Sequence, residues 1–409
     1  MMEEKNMATT GYKGFPRELL ACDNDERFKY FVRYVVAHRL QKNADKELMR
    51  ALDRFKKTRD ARPNEAVGMV ILLYGPTGSG KTQLKYVVQR RLLEEAMERM
   101  DADRGYKPYA TMDVKGPDTE RFSWLDLYER ANLALDEPLI PHKIDPNTIH
   151  PGPKALSRGQ GATGRALRLS LESGVRNRKL DAFFWDEAHG IGKVPKERFK
   201  NQMETLKSLA DMTNASYVLM GTYDLLPFWT LNGQLGRRLV QIHLPRYRLD
   251  IPADVREFKR VLRSFQKHLP LAQEPKLVGT WRYYYDRSAG CVGVLKDWLS
   301  RALFEALEDG AQTLTPEVLE RTVLPADEMA EIAADIVYGE GKLLESESDK
   351  TWDRVADLLE RTPRPPTPAD EKRRQQDAKA RRTRRPKPGD RLPARDPGGD
   401  AYDDEADHD

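Results

Sequence analysis

Cysteine and long apolar runs are scarce in this sequence. The chain of 409 residues has two cysteines, Cys22 and Cys291, too few for a disulfide framework, and no cluster of cysteine and histidine has metal-ligand spacing. No apolar stretch approaches the roughly 18 residues that a membrane-spanning helix needs, and the N-terminal residues lack the apolar core of a signal peptide. We therefore expect a soluble protein of the reducing cytoplasm that does not bind membranes.

A glycine-rich motif stands between a predicted strand and a predicted helix. Residues 75–82 read GPTGSGKT, directly after the apolar run 69–74 and directly before an amphipathic stretch. Glycines let such a loop curl so that several backbone N–H groups and the helix N-terminus face one anion. In this pattern Lys81 adds a charge for the β- and γ-phosphates of ATP, and the Thr82 hydroxyl is placed to ligate Mg²⁺. The nucleotide-binding residues predicted by the motif are Gly75, Pro76, Thr77, Gly78, Ser79, Gly80, Lys81 and Thr82.

An apolar run closed by two acids follows about 105 residues after the loop. Residues 182–187 read AFFWDE, as a strand covered on both faces would, and end in Asp186 and Glu187. Mg²⁺ bound with ATP needs a carboxylate at its hydration shell, and the attacking water needs a base beside the γ-phosphate. We therefore expect Asp186 to hold the Mg²⁺ shell, and so to take part in cofactor binding, and Glu187 to polarise the water.

The chain divides into four regions by periodicity and composition. Apolar residues at helical spacing predict a helical N-terminal extension within 1–66. Alternating strand and helix patterns over 67–250 predict a parallel α/β nucleotide-binding core. Only helical patterns follow over 251–350, which we interpret as a helical lid. Residues 351–409 are rich in proline and charge with few aliphatic side chains, and this composition predicts a disordered tail.

The order of these regions resembles the AAA+ ATPases, in which an α/β phosphate-loop core is followed by an all-helical lid. The resemblance implies an α/β fold with a parallel sheet and a C-terminal lid. AAA+ proteins place a polar γ-phosphate sensor after a strand such as 217–220, where this chain has Thr222. They also carry an arginine finger for the neighbouring subunit's nucleotide, and the matching residues are Arg237 and Arg238. A planar, permanently charged guanidinium suits charge that is spread over phosphoryl oxygens.

More narrowly, the chain resembles the TnsC/TniB family of AAA+ transposition regulators. The resembling segments are YGPTGSGKT (74–82), FFWDEAHGIGK (183–193), YVLMGTYDL (217–225), LGRRLVQIHLPRY (235–247) and SAGCVGVLKDWLSRAL (288–303). The resemblance implies an ATPase that assembles on duplex DNA as a ring-like or helical homo-oligomer, marks a target site, and works with a transposase and target-selector proteins. The chain departs from the family at Val294, where many relatives carry a lid arginine. Either that sensor is missing or Lys296 substitutes for it in binding nucleotide.

Two other function classes share parts of these motifs. The phosphate loop and the Asp-Glu-Ala-His run at 186–189 also occur in superfamily 2 helicases. A helicase needs a second complete nucleotide-facing domain between the sensor strand and the arginine motif, and Thr222 and Arg237 lie too close together for one. We therefore disfavour a helicase. An AAA+ initiator-type or signalling switch unrelated to transposition stays open, and the presence or absence of neighbouring transposase genes would separate it from the transposition regulator.

Basic residues on predicted loops of the core are candidates for DNA contact. They are interleaved with Gly, Ser and Thr, which can donate hydrogen bonds to phosphates. The candidates are Lys115, Arg121, Lys154, Arg158 and Arg165. The family resemblance places DNA-facing loops in this part of the core, while ordinary solvated cations explain the same residues equally well. No base-reading element is evident, so we expect sequence-independent, salt-sensitive binding to duplex DNA.

Overall fold

A computed structural model of the chain describes residues 14–62, 68–116, 122–138, 140, 160–194, 196–230 and 239–346. The chain divides into two units, Met1–Leu343 and Leu344–Asp409, and the features below belong to the first. Several sequence predictions fall outside the described residues. These are the finger candidates Arg237 and Arg238, the DNA candidates Arg121, Lys154 and Arg158, and the tail 351–409.

Five strands form one parallel sheet in the order β2-β3-β4-β1-β5. They are β1 (Met69–Tyr74), β2 (Tyr109–Asp113), β3 (Ala182–Asp186), β4 (Ser216–Gly221) and β5 (Leu239–His243). Every residue of the three inner strands is buried, because helices cover both faces of a parallel sheet. The parallel α/β sheet predicted from the alternating pattern is confirmed. β1 coincides with the apolar run 69–74, whereas β4 is one residue longer at each end than the predicted strand 217–220.

Twelve labelled α-helices surround the sheet or follow it in the described ranges. They are α1 (Asn24–Arg33), α2 (Arg39–Ala61), α3 (Lys81–Ala102), α4 (Trp124–Ala134), α5 (Gln160–Asn177), α6 (Lys196–Thr213), α7 (Pro227–Thr230), α8 (Pro252–His268), α9 (Trp281–Asp286), α10 (Val292–Glu308), α11 (Pro316–Thr322) and α12 (Ala326–Ser346). Side-chain caps fix several starts: Asp23, Ser123 and Thr315 each accept an N–H from the first turn of the helix that follows. None of the described helices is long and apolar enough to cross a membrane.

The N-terminal helices pack against the helices that follow the sheet. Phe31 of α1 is fully buried, with its ring centroid 6.2 Å from that of Phe265 on α8. The Phe28 ring meets Phe304 of α10 at 5.3 Å, and the side-chain amide of Asn24 donates to the Leu307 carbonyl at 2.9 Å. One hydrophobic cluster therefore joins α1 and α2 to the sheet and to α8, α10 and α11. The region limits predicted from composition stay predictions.

Candidate nucleotide-binding site

The loop after β1 folds into a compact turn that requires glycine at two positions. Gly78 and Gly80 have φ angles of 71° and 98°, in the left-handed region that favours glycine. The Ser79 N–H donates to the Pro76 carbonyl at 3.2 Å and closes the turn. Gly80 then serves as the N-cap of α3. Because the first N–H groups of a helix have no partner within it, the start of α3 presents donors to an anion.

Helix α10 lies directly on this loop. The Gly293 N–H donates to the Gly78 carbonyl at 2.7 Å. A Cβ at Gly78 would come within 2.5 Å of the Val294 side chain, and a Cβ at Gly293 within 2.6 Å of the Gly78 oxygen. Both positions must therefore be glycine for the two backbones to touch. Val294, at the position where the resemblance places a lid arginine, is an apolar contact to the loop.

Lys81 folds back across the loop. Its ammonium donates to the carbonyls of Gly75 at 2.9 Å and Pro76 at 2.8 Å. Burial lowers the pKa of Lys81 to about 8, although the nearby Glu187 carboxylate acts in the opposite direction. Anionic phosphate oxygens are stronger partners for an ammonium than neutral carbonyls. The Lys81 ammonium thus lies where a phosphate bound in the loop would attract it.

A buried hydroxyl shows that the loop fits a phosphate. Ser79 is 2% exposed, and within the described part of the chain its Oγ has no hydrogen-bond partner. An unsatisfied buried hydroxyl is costly, and a bound anion would supply the missing acceptor. The glycine turn, this hydroxyl and the start of α3 all lie within residues 78–82.

Strand β3 delivers two acids to the same edge of the sheet. Asp186 is 7% exposed, and its Oδ2 lies 2.6 Å from the Lys85 ammonium of α3. Its Oδ1 accepts the Glu187 N–H at 3.1 Å. Glu187 has a φ of 52°, a strained value for a residue with a side chain, and its side chain is 62% exposed. The strained turn thus leaves Asp186 fixed and the Glu187 carboxylate open to solvent.

The donor chemistry at this edge suits Mg²⁺ bound together with ATP. Thr82, at the start of α3, is exposed, and Asp186 ends β3, which is separated from β1 by β4. No group of three or more His, Cys, Asp or Glu side chains able to hold a metal exists among the described residues. Mg²⁺ usually takes only one or two protein oxygens and fills its shell with phosphate and water. A hydroxyl and a carboxylate are therefore a sufficient protein contribution.

Thr222 follows β4 at the same edge. The last residue of β4, Gly221, is paired with Tyr74 at the end of β1, which places Thr222 beside the start of the loop. The next residue, Tyr223, shares a hydrogen bond of 3.0 Å with His243 Nε2 at the end of β5, and burial lowers the pKa of His243 to about 4. The sequence did not reveal this Tyr–His pair.

His189 lies in the short turn after Glu187. Its Nδ1 is 3.1 Å from Glu187 Oε2, without hydrogen-bond geometry. Burial lowers the pKa of His189, more than the Glu187 carboxylate raises it, so the imidazole is neutral at neutral pH. This arrangement matches a loop histidine near Glu187.

A cavity of about 140 Å³ opens beside the start of α3. It is lined by Gly80, Gln83, Val292, Gly293, Lys296, Phe265, and by Val32, Tyr34, Val35, Val36, His38 and Gln41 from the N-terminal segment. A largely apolar cleft with a few polar groups suits a flat heterocycle. No sequence pattern indicated that the residues around position 35 would help to build it.

Lys296 forms part of the wall of this cavity. Its ammonium donates to the Phe31 carbonyl and lies 3.3 Å from the centroid of the Phe31 ring. Burial lowers the pKa of Lys296 to about 7. The lysine is therefore held by the end of α1, and its contact with nucleotide stays a prediction.

Two of the DNA candidates lie among the described residues. Lys115 follows β2 and is exposed, with its backbone close to Gly190 in the turn after β3. Arg165 is exposed on α5. Their contact with DNA stays a prediction.

Comparison with known proteins identifies the core. Residues 66–228 match the AAA domain family. Among curated proteins, none matches this sequence. Similar solved structures include the ORC2 protein of Aeropyrum pernix, 15% identical over 68% of this chain and 69% of that chain, with a TM-score of 0.42. The ORC1 protein of Aeropyrum pernix in complex with DNA is 17% identical over 74% and 68%, with a TM-score of 0.45. Drosophila ORC bound to DNA is 13% identical over 93% and 88%, with a TM-score of 0.41.

Residues 66–228 of the chain are thus similar to the AAA domain family. The five-stranded parallel sheet with its surrounding helices has the AAA+ fold.

Proposed function

We propose that this protein is an ATPase that assembles on duplex DNA and regulates DNA transposition, with ATP hydrolysis controlling assembly and disassembly. One observation carries the ATPase part. The phosphate-binding loop, Asp186 and Glu187 meet at one edge of the sheet, with Lys81 held over the loop and the Glu187 carboxylate open to solvent. The AAA domain match over residues 66–228 supports the same reading.

The loop and the cavity divide the binding of ATP between them. The backbone N–H groups at the start of α3, the Ser79 hydroxyl and the Lys81 ammonium would hold the phosphates. The cavity beside Gly80 would take the base, with the N-terminal segment and α10 as its walls. Because α10 contacts Gly78, a ligand bound in the loop would act directly on α10 and, through it, on the helices that follow the sheet.

Hydrolysis then depends on the acids at the ends of the strands. Mg²⁺, when bound with ATP through the Thr82 hydroxyl and the Asp186 shell, supplies charge for the phosphoryl oxygens. Glu187 would polarise the attacking water, since its carboxylate is exposed to solvent just after β3. Thr222 would hydrogen-bond to the γ-phosphate or the water from the neighbouring strand. Arg237 or Arg238 of an adjacent subunit would complete the site.

The DNA and transposition parts of the proposal draw support from the sequence resemblance. The matching segments span the nucleotide site, the strand before the sensor, and the start of α10. By this proposal, the partners of the protein are duplex DNA, further copies of this chain, a transposase and a target-selector protein. Lys115 and Arg165 are the DNA candidates within the described residues.

Electron microscopy tests the assembly step. The purified protein is imaged with duplex DNA and a non-hydrolysable ATP analogue, and rings or filaments on DNA are the expected result. Lys81→Ala, which lacks the phosphate charge, serves as the control and should leave the DNA bare. Discrete monomers of the parent protein under the same conditions would contradict the proposal. Retention of a transposase on DNA only when the ATP-loaded protein is present would separate a transposition regulator from an initiator-type or signalling switch.

A further inference from the structure

Lys85 makes a buried ion pair with the acid that ends β3. It lies on α3 one turn after Lys81, and its side chain is only 7% exposed. Its ammonium is 2.6 Å from Asp186 Oδ2, and the Asp186 side chain is 10% exposed. The second carboxylate oxygen of Asp186 accepts the Glu187 N–H. Both oxygens of Asp186 therefore have partners within the chain.

The position of this pair is unusual for a helix that packs on a sheet. Among the neighbouring inward residues of α3, Leu84, Val88 and Leu92 are apolar and buried, and Gln89 is buried as well. Placing a lysine and an aspartate in such surroundings carries a large desolvation cost, so a buried pair is weak evidence for added stability. The pair lies instead at the carboxylate that we assign to the Mg²⁺ shell.

We propose that Lys85 is a positioning residue that holds Asp186 in the nucleotide-free protein and competes with Mg²⁺ for its carboxylate. This inference rests on the proposed function, since it requires ATP and Mg²⁺ at the loop. Two cations beside one carboxylate repel each other, so the ammonium must yield when the hydrated metal arrives. The Tyr86 ring lies 5.3 Å from the same ammonium and offers it a second partner.

The ion pair with Lys85 therefore raises the Mg²⁺ concentration that the site requires. In the parent protein, Mg²⁺ has to displace an existing ion pair before Asp186 can accept hydrogen bonds from its bound water. Without Lys85 that competition disappears, but the nucleotide-free protein is left with a buried carboxylate that has lost its cation. Loss of Lys85 should thus destabilise the nucleotide-free state and strengthen metal uptake.

Thermal unfolding of Lys85→Met tests both effects. The melting temperature is measured in EDTA, with a non-hydrolysable ATP analogue in EDTA, and with the analogue over a Mg²⁺ titration. The variant should melt below the parent in EDTA and regain most of the difference with Mg²⁺ and the analogue. Its half-saturating Mg²⁺ concentration should fall about tenfold. If Lys85→Met does not fold, Lys85→Gln, which keeps a hydrogen bond without the charge, is titrated in the same way.

Gln89 provides the matched control. It is also buried on α3, one turn beyond Lys85, and among the described residues its Nε2 has no hydrogen-bond partner. Gln89→Met should shift the melting temperature equally in all three conditions and leave the Mg²⁺ titration unchanged.

Two negative results have different meanings. A Lys85 variant with the same melting deficit at every Mg²⁺ concentration and the parent's half-saturation would overturn this inference and make the pair structural. If the melting temperature of the parent protein does not change when the ATP analogue and Mg²⁺ are added, the proposed function itself is overturned.

Discussion

Lys81 and Glu187 divide the candidate site between binding and hydrolysis. Lys81 is half-buried and donates to the loop carbonyls, whereas the Glu187 carboxylate is exposed to solvent at the edge of the sheet. Lys81 can contact the phosphates of the nucleotide directly. Glu187 can act only on a water molecule next to those phosphates. Substitution of Lys81 and substitution of Glu187 should therefore cause different defects, the first in binding and the second in hydrolysis.

Our first prediction is that Lys81→Ala abolishes ATP binding, while Glu187→Gln binds ATP and hydrolyses it about 100-fold more slowly or worse, since only the base is lost. A fluorescent ATP analogue measures binding and phosphate release measures turnover. Glu204→Gln, an exposed carboxylate on α6, is the matched control and should behave like the parent. Parent-like turnover in Glu187→Gln would remove Glu187 from its role.

Lys296 gives a second prediction, on pH. Burial lowers its pKa in the folded protein from 10.5 to about 7. Between these values the unfolded chain binds a proton that the folded chain does not, so stability rises with pH through this window. Below about pH 7 both states are protonated and the full cost of burying the ammonium remains.

Relative to Lys296→Met, the free energy of unfolding of the parent should rise from pH 7 to pH 9 with a slope of up to about 1.4 kcal/mol per pH unit. Denaturant titrations of both proteins at a series of pH values measure it. The Met variant is the control, since it keeps the length of the side chain but cannot titrate. Parallel curves would show that Lys296 keeps its proton in the folded state.

At the scale of elements, α12 connects the segments that surround the candidate site. Its Glu340 makes a two-pronged ion pair with Arg246 after β5, at 2.9 and 3.0 Å. Gly339 packs against the Tyr223 side chain, next to the sensor candidate Thr222. Ile336 is buried with Cys291 and Val294 at the start of α10. A single helix thus touches the sensor strand and the helix that lies on the loop.

The third prediction concerns the closest of these contacts. A Cβ at Gly339 would overlap the Tyr223 ring, so Gly339→Ala should lower the free energy of unfolding by about 1–3 kcal/mol. Gly341 is on the same helix with open space around it, and Gly341→Ala should instead stabilise the helix by about 0.5–1 kcal/mol. Urea unfolding of the two variants compares them directly. Equal changes in the free energy of unfolding for the two variants would show that α12 does not pack closely against Tyr223 at Gly339.

The sequence anticipated elements whose signal is local. The loop, the buried strand before it, and the run ending in Asp186 and Glu187 each carry their pattern within a few residues, and the structure brings them to one edge of the sheet. The segments that meet at this edge could therefore be predicted from the sequence, while the roles of their residues stay predictions. The strand order β2-β3-β4-β1-β5, by contrast, was not predicted, because general rules for alternating strands and helices only narrow the possible orders.

Contacts between distant segments could not be read in this way. Lys85 looks like any helix lysine until the fold brings Asp186 beside it, 101 positions along the chain. The burial of Phe31 by α8 and α10 likewise depends on tertiary packing that no periodicity reports. The hydrogen bond from the Lys296 ammonium to the Phe31 carbonyl was not indicated by the motif either, and a contact of Lys296 with nucleotide stays a prediction. Such pairings are set by the folded chain as a whole.

At the scale of the whole molecule, the arginine candidates raise the question of how many chains make one site. Lys81, Asp186, Glu187 and Thr222 all lie within residues 66–228 of one chain, the domain that matches the AAA domain family. If Arg237 or Arg238 acts on the nucleotide of a neighbour, that domain alone is an incomplete ATPase. Completion then requires an interface between two copies, and activity becomes a property of the assembly.

The last prediction follows from this division. Hydrolysis per subunit should rise with protein concentration, because dilution separates the finger from the site that it completes. An arginine variant, such as Arg237→Ala with Arg238→Ala, keeps an intact site but has no finger, and Lys81→Ala keeps the finger but has a dead site. Mixing the two should restore part of the activity, since one kind of interface joins the intact halves. Mixing Lys81→Ala with Glu187→Gln is the control and should restore nothing, because every site in that mixture carries a defect in its own subunit. Turnover that is independent of concentration, with no rescue in the first mixture, would leave both arginines as surface groups and the ATPase as a property of the single chain.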